Sequence, residues 1–209
     1  MYEILCYGDS NTWGYIPGSG DRYHRDVRWT GIMRSILGSE YHIIEEGLNG
    51  RTTVWDDPVE GHKNGKTYLY PCLESHKPLS LVIIMLGTND LKTRYSVPAF
   101  DIALSVGVLV DIIQKSGSGG KGKIPEVLLL APPPLGRITA FAEMLEGGNE
   151  KSEKFGDYYE GIAKEYGCHF FNSGTIIKSS DIDGVHLTEE SHKIFGERIA
   201  ALAEDILGV

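Results

Sequence analysis

Four short apolar runs punctuate the chain: Ile4-Leu5-Cys6-Tyr7, Leu81 to Leu86, Val127 to Ala131, and Cys168-His169-Phe170-Phe171. Each is bounded by Gly, Asn, Asp or Pro, and a fifth run, Tyr41-His42-Ile43-Ile44, is weaker. Continuous apolar runs, as opposed to alternating ones, mark strands buried on both faces, as in a parallel sheet. Helical patterns lie between them. Arg28 to Leu37 is the first and Tyr68 to His76 a short second. Pro98 to Lys115 carries Ile102, Leu104, Val106, Leu109, Val110 and Ile113 at mostly three-to-four spacing. Lys151 to Tyr166 and Thr188 to Leu207 complete the set. Thr188 is a candidate N-cap, followed by Glu189 and Glu190 in the first turn, where the helix dipole favours acids. This alternation predicts an α/β fold with a parallel sheet covered by helices on both faces. With no linker, repeat or heptad, residues 1–209 are expected to form a single domain.

Composition narrows the function. A chain of 209 residues, 41% apolar and 23% charged, buries a core without disulfide staples. With 20 basic and 29 acidic residues, its net charge of −9 argues against nucleic acid and against an anionic membrane surface as partners. Cys6, Cys72 and Cys168 show neither CxxC pairing nor zinc-ligand spacing, so they read as reduced thiols. Met1-Tyr2-Glu3 lacks the basic and long apolar segments of a signal peptide. No apolar run approaches the roughly 20 residues that span a bilayer. A cytoplasmic location is expected.

Two glycine strings carry no chemistry. Gly117-x-Gly119-x-x-Gly122 follows a helix and precedes a strand, the wrong context for a dinucleotide fingerprint, so Ser116 to Lys123 reads as a surface loop. Gly61-His62-Lys63-Asn64-Gly65-Lys66-Thr67 is one residue short of a P-loop and reads as a solvated turn.

The chemistry gathers at the carboxyl ends of the strands, where open parallel sheets form their ligand crevice. After the first strand comes Gly8-Asp9-Ser10-Asn11, a tight turn that aims a serine hydroxyl into that crevice. By itself it also fits an ordinary Asp-Ser turn or cap. No Gly-x-Ser-x-Gly elbow occurs. A serine nucleophile needs a base and an orienting acid. Asp183-Gly184-Val185-His186 supplies both at close spacing in a loop before the last helix, though a solvated His beside an Asp turn would look the same. A metal bound by Asp181, Asp183 and His186 lacks a spaced fourth ligand. Asn89, in Gly87-Thr88-Asn89-Asp90, could donate its carboxamide to an oxyanion, and Gly50 its backbone N–H. Each is an ordinary loop alone; four at the ends of successive strands are hard to dismiss together.

These four blocks resemble the SGNH hydrolase superfamily, the GDSL esterases, over nearly the whole chain. Ser10, Gly50, Asn89 and His186 match its four signature residues, with Asp183 as the triad acid. The bacterial arylesterase and acyltransferase subgroup is matched more closely. Its marks are Gly8-Asp9-Ser10-x-Thr12-Trp13-Gly14, Asp26 to Gly31, Glu45-Glu46-Gly47-Leu48-x-x-Arg51-Thr52-Thr53, Asp56-Asp57-Pro58, Ile84 to Asp90 and Pro132-Pro133-Pro134. The chain departs at Asn11, where the GDSL name implies Leu.

The resemblance implies a flavodoxin-like three-layer α/β/α sandwich of about five parallel strands. It implies a serine esterase acting on small acyl or aryl esters through an acyl-enzyme, with acyl transfer to alcohols and no metal or organic cofactor. Ser10 would be nucleophile, His186 base and Asp183 its partner, with Ser10, Gly50 and Asn89 forming the oxyanion hole. A homo-oligomer is also implied.

For the substrate pocket, Asn11, Trp13 and Tyr15 are the candidates, because every Trp (Trp13, Trp29, Trp55) falls in the first 55 residues. Trp29 serves equally well as a helix-to-sheet packing residue. Arg28 and Arg51 are expected to pair with Asp9, Asp56 or Asp57 and so fix the loops. Pro58 to Lys66 and Arg137 to Asn149 are candidate lids or subunit contacts. Two other functions fit the same chain: a carbohydrate O-deacetylase, whose sugar-binding residues the sequence does not reveal, and a non-catalytic flavodoxin-like binding module.

Overall fold

A computed structural model describes residues 1–208. The elements run in the order β1 (Tyr2–Gly8), α1 (Ser10–Trp13), α2 (Trp29–Leu37), β2 (Tyr41–Gly47), α3 (Gly65–His76), β3 (Leu81–Met85), α4 (Ala99–Lys115), β4 (Glu126–Ala131), α5 (Gly148–Ser152), α6 (Phe155–Tyr166), β5 (His169–Asn172) and α7 (Glu189–Leu207). The five strands pair in parallel in the order β2-β1-β3-β4-β5. This is the flavodoxin-like order, with its switch point between β1 and β3.

Each central strand divides its side chains between two cores, because successive residues point to opposite faces. Leu5, Tyr7, Val82, Ile84, Val127 and Leu129 pack under α3, α4 and α6. Ile4, Cys6, Leu81, Ile83, Leu128 and Leu130 pack under α2 and α7. Burial on both sides explains why the strands read as unbroken apolar runs. All five lie where the pattern places them, with ends shifted by at most three residues.

Two helices differ from expectation. The helix expected over Lys151 to Tyr166 is two. In α5, Ser152 Oγ accepts from the Leu135 N–H (3.0 Å), and Asn149 Nδ2 donates to the Leu135 and Gly136 carbonyls (3.0 and 2.7 Å). In α6, Phe155, Tyr159, Ile162 and Ala163 face the sheet. The first piece ties down a loop and the second fills the core. The helix expected from Tyr68 starts at Gly65, with the Asn64 side chain accepting from the Thr67 N–H at 3.3 Å. So only the first part of Gly61 to Thr67 is a turn, and Gly65 is buried against the Thr52 carbonyl. Among the described residues, no helix is long and apolar enough to cross a membrane.

Candidate active site

Ser10 opens α1 directly after β1. The turn is tight: a Cβ on Gly8 would lie 2.1 Å from Thr12 Oγ1 and 3.0 Å from the Met85 carbonyl. Asp9 caps the short helix by accepting the Asn11 N–H at 3.0 Å. His186 comes from the loop before α7. Its Nε2 stands 3.0 Å from Ser10 Oγ, and its Nδ1 stands 2.7 Å from Asp183 Oδ2. A carboxylate only accepts, so Nδ1 carries the proton and Nε2 is left to accept from the serine hydroxyl. Asp183 Oδ1 also accepts the N–H groups of Val185 (2.9 Å) and His186 (3.0 Å). Burial alone would raise the Asp183 carboxyl, but the His186 hydrogen bonds outweigh it and hold the group below its usual range. Ser10, Asp183 and His186 are 5%, 2% and 6% exposed, so the chain of hydrogen bonds is nearly dry.

A cavity of about 150 Å³ opens over Ser10 and His186, and Gly50, Thr88 and Asn89 share its lining. Gly50 has φ +79°, and a Cβ there would come within 2.6 Å of Glu60 Oε2. Asn89 Nδ2 donates one bond to the Arg51 carbonyl (3.2 Å), which fixes the carboxamide beside the serine. The Tyr15 ring stacks on the His186 imidazole, and Phe141 meets that imidazole edge-on.

Of the three pocket candidates, only Tyr15 lines this cavity. Asn11 is turned away from it: Oδ1 accepts the Leu187 N–H (3.0 Å) and Nδ2 donates to the Val185 carbonyl (3.3 Å), clamping the loop that carries His186. Trp13 lies under the Arg22 guanidinium, 4.9 Å from its ring centroid. Trp29 is a core residue whose ring is tilted against Phe195 of α7, with centroids 5.3 Å apart. The expected arginine pairs also differ. Arg28 bonds Glu45 at 2.5 Å, and Arg51 Nη1 donates to the carbonyls of Gly8 (2.9 Å) and Glu46. Asp57 instead accepts from Arg94 (2.9 Å) and Tyr95 (2.7 Å), with Lys92 Nζ at 3.4 Å; the Glu60 N–H, the Tyr95 hydroxyl, the Val59 N–H and the Lys92 charge hold its carboxyl far down despite burial.

Both candidate lids reach the cavity. Glu60 comes from the first, and Phe141, Met144 and Leu145 from the second. The sequence reading missed Asn49 and Lys92, which complete a polar wall. Lys92 Nζ bonds Glu60 Oε1 at 2.6 Å, and Asn49 Oδ1 is buried without a partner. Phe141, Met144 and Leu145 fall in a run of turns before α5, and their apolar character was the only sequence signal for the apolar wall; nothing local marks Lys92.

Residues 6–194 match the GDSL-like lipase/acylhydrolase family. None of the curated proteins matches the chain. Among solved structures, the carbohydrate acetylesterase Est24 from Sinorhizobium meliloti is 42% identical, with 99% of this chain and 100% of that one covered and a TM-score of 0.95. The native aryl esterase of M. smegmatis is 40% identical over 99% and 100% of the two chains, with a TM-score of 0.94. A second carbohydrate acetylesterase family member from Sinorhizobium meliloti is 37% identical, covers both chains fully and has a TM-score of 0.95.

Proposed function

Because the chain belongs to the GDSL-like lipase/acylhydrolase family and is a carboxylic ester hydrolase, we propose that Ser10, His186 and Asp183 are its catalytic triad. The observation that carries this reading is the continuous relay from Ser10 Oγ through the imidazole to Asp183, at 3.0 and 2.7 Å, on the floor of a cavity. Ser10 Oγ attacks the ester carbonyl while His186 Nε2 takes its proton. Asp183 holds the imidazole in the required tautomer and stabilises the imidazolium. The oxyanion is met by the backbone N–H groups of Ser10 and Gly50 and by the free N–H of Asn89 Nδ2. His186 then protonates the leaving alcohol, and the acyl-enzyme is released when His186 activates water. No step calls on a metal or an organic cofactor.

A cavity of about 150 Å³ suits a short acyl group such as acetyl. Acyl transfer to an alcohol follows from the same chemistry, since His186 activates a bound alcohol as it does water. The apolar walls from Tyr15, Phe141 and Met144 favour an apolar acceptor over water. Incubation with vinyl acetate and benzyl alcohol in aqueous buffer tests this: benzyl acetate is expected at early times, and free acid alone at every alcohol concentration leaves a plain esterase. The chain also fits a cytoplasmic enzyme with reduced thiols at Cys6, Cys72 and Cys168. It is proposed to self-associate through the exposed stripe of Phe100, Leu104 and Val108 on α4.

A second reading, hydrolysis of acetylated carbohydrate, is favoured by the polar wall of Asn49, Glu60 and Lys92. The Glu60 carboxylate can accept a sugar hydroxyl, Lys92 can donate, and the Asn49 side chain lines the same wall. Two of the similar structures are carbohydrate acetylesterases. Comparing kcat/KM for p-nitrophenyl acetate and acetylated xylan separates the two: higher kcat/KM on acetylated xylan supports the carbohydrate reading, and activity on the aryl ester alone supports the first.

A further inference from the structure

A second group of reactive side chains stands on the α3 side of the sheet, apart from the ester site. Glu46 projects from β2, while Cys72 and His76 are four residues apart on α3 and so share one face of that helix. One donor atom from each of the three lies within 4.8 Å of the other two. His76 Nε2 is already 3.2 Å from Glu46 Oε1. Tyr68, one turn before Cys72, approaches the same Glu46 oxygen with its hydroxyl at 3.4 Å. None of these residues lines the cavity over Ser10.

We propose that Glu46, Cys72 and His76 bind a borderline divalent transition metal, with zinc as the reference ion and a water as fourth ligand. One oxygen, one sulfur and one nitrogen donor form a set that zinc and cobalt accept and that calcium and magnesium, which take oxygen, do not. Metal–ligand bonds of about 2.0–2.3 Å in a tetrahedron bring donor atoms to within roughly 3.3–3.8 Å of each other. His76 Nε2 and Glu46 Oε1, 3.2 Å apart, are already that close, and with all three donors within 4.8 Å only a small shift towards Cys72 is needed. His76 and Glu46 are half-buried side chains at the edge of solvent, whereas Cys72 is fixed in the core. The Tyr68 hydroxyl acts as the outer partner that orients the carboxylate. Occupancy pins α3 to the end of β2, the strand that runs into Gly47–Gly50. The site thus braces the loop that carries Gly50 without touching the reacting atoms.

The test uses the reduced, EDTA-treated full chain titrated with Co²⁺, followed by absorption, with Zn²⁺ as competitor. One equivalent of Co²⁺ is expected to produce a thiolate-to-metal charge-transfer band that Zn²⁺ abolishes, and Zn²⁺ is expected to raise the melting temperature. Cys72→Ser removes the band. His76→Gln weakens Co²⁺ binding at least tenfold. Both variants hydrolyse p-nitrophenyl acetate as the metal-free wild type does, which separates this site from His186. His76→Gln alters a half-exposed side chain, so it carries the test even where Cys72→Ser lowers the fold's stability. A band that persists in Cys72→Ser overturns the proposal, as does a wild type with neither the band nor a zinc-dependent rise in melting temperature.

Discussion

The Tyr15 ring lies flat on the His186 imidazole, with centroids 3.9 Å apart and planes inclined by 22°. Stacking fixes the imidazole plane so that Nε2 faces Ser10, and it shields one face from water. In the proposed mechanism it also sets a π-cloud against the cation that forms when His186 takes the serine proton, a contact that strengthens in the transition state. Tyr15→Ala is expected to lower kcat about tenfold, the scale of one cation–π contact, while Tyr15→Phe stays near wild type. A Tyr15→Phe variant as impaired as Tyr15→Ala would move the role from the ring to the hydroxyl.

Asn11 holds both the Val185 carbonyl and the Leu187 N–H, on either side of His186. Asn11→Leu removes both bonds and leaves two buried backbone groups unpaired. Folding free energy is expected to fall by about 1–3 kcal/mol, and kcat to fall with KM little changed. Urea unfolding and steady-state kinetics check the two halves. Wild-type kcat in this variant would show that the clamp does not position the base.

Asn89→Ala removes one of the proposed oxyanion donors and should lower kcat by ~10²–10³ with a smaller effect on KM. Its bond to the Arg51 carbonyl makes the carboxamide rigid before substrate arrives. An unchanged kcat would take Asn89 out of the site.

Asp9 is buried with one carboxyl oxygen unpartnered, and burial raises its pKa from 3.8 to about 6. The folded chain then holds a proton that the unfolded chain has lost between pH 3.8 and about 6. Asp9 therefore contributes its stability below pH 3.8 and loses it as pH rises through about 6. The stability of wild type relative to Asp9→Asn should fall across that window by up to about 3 kcal/mol. Other titrating groups, such as His192, whose burial holds it near 3, cancel in the comparison. A pH-independent difference would contradict the assignment.

The sheet was legible because residues such as Ile83 and Ile84, or Leu128 and Leu129, face opposite buried layers, so the central stretches of β1, β3 and β4 run apolar, while the edge strands β2 and β5 carry polar residues, and β2 reads more weakly. The residues around Ser10 were legible because their chemical types sit in short loops directly after strands. The cavity walls were not. Lys92 is buried because Asp57 and Glu60, over thirty residues earlier, fold back onto it. Asn11 and Trp13 follow Ser10 in sequence, but one turn of α1 swings them towards the His186 loop and Arg22. The break between α5 and α6 likewise depends on the Leu135–Gly136 loop, which no local pattern announces.

The most direct test of the account is p-nitrophenyl acetate hydrolysis by Ser10→Ala, read beside its melting temperature. The substitution deletes only the hydroxyl 3.0 Å from His186 Nε2 and leaves the turn around Gly8 and Asp9 intact. Turnover is expected to drop to the uncatalysed background with the melting temperature held near that of wild type. A folded Ser10→Ala protein that still hydrolyses the ester near the wild-type rate would contradict the serine mechanism.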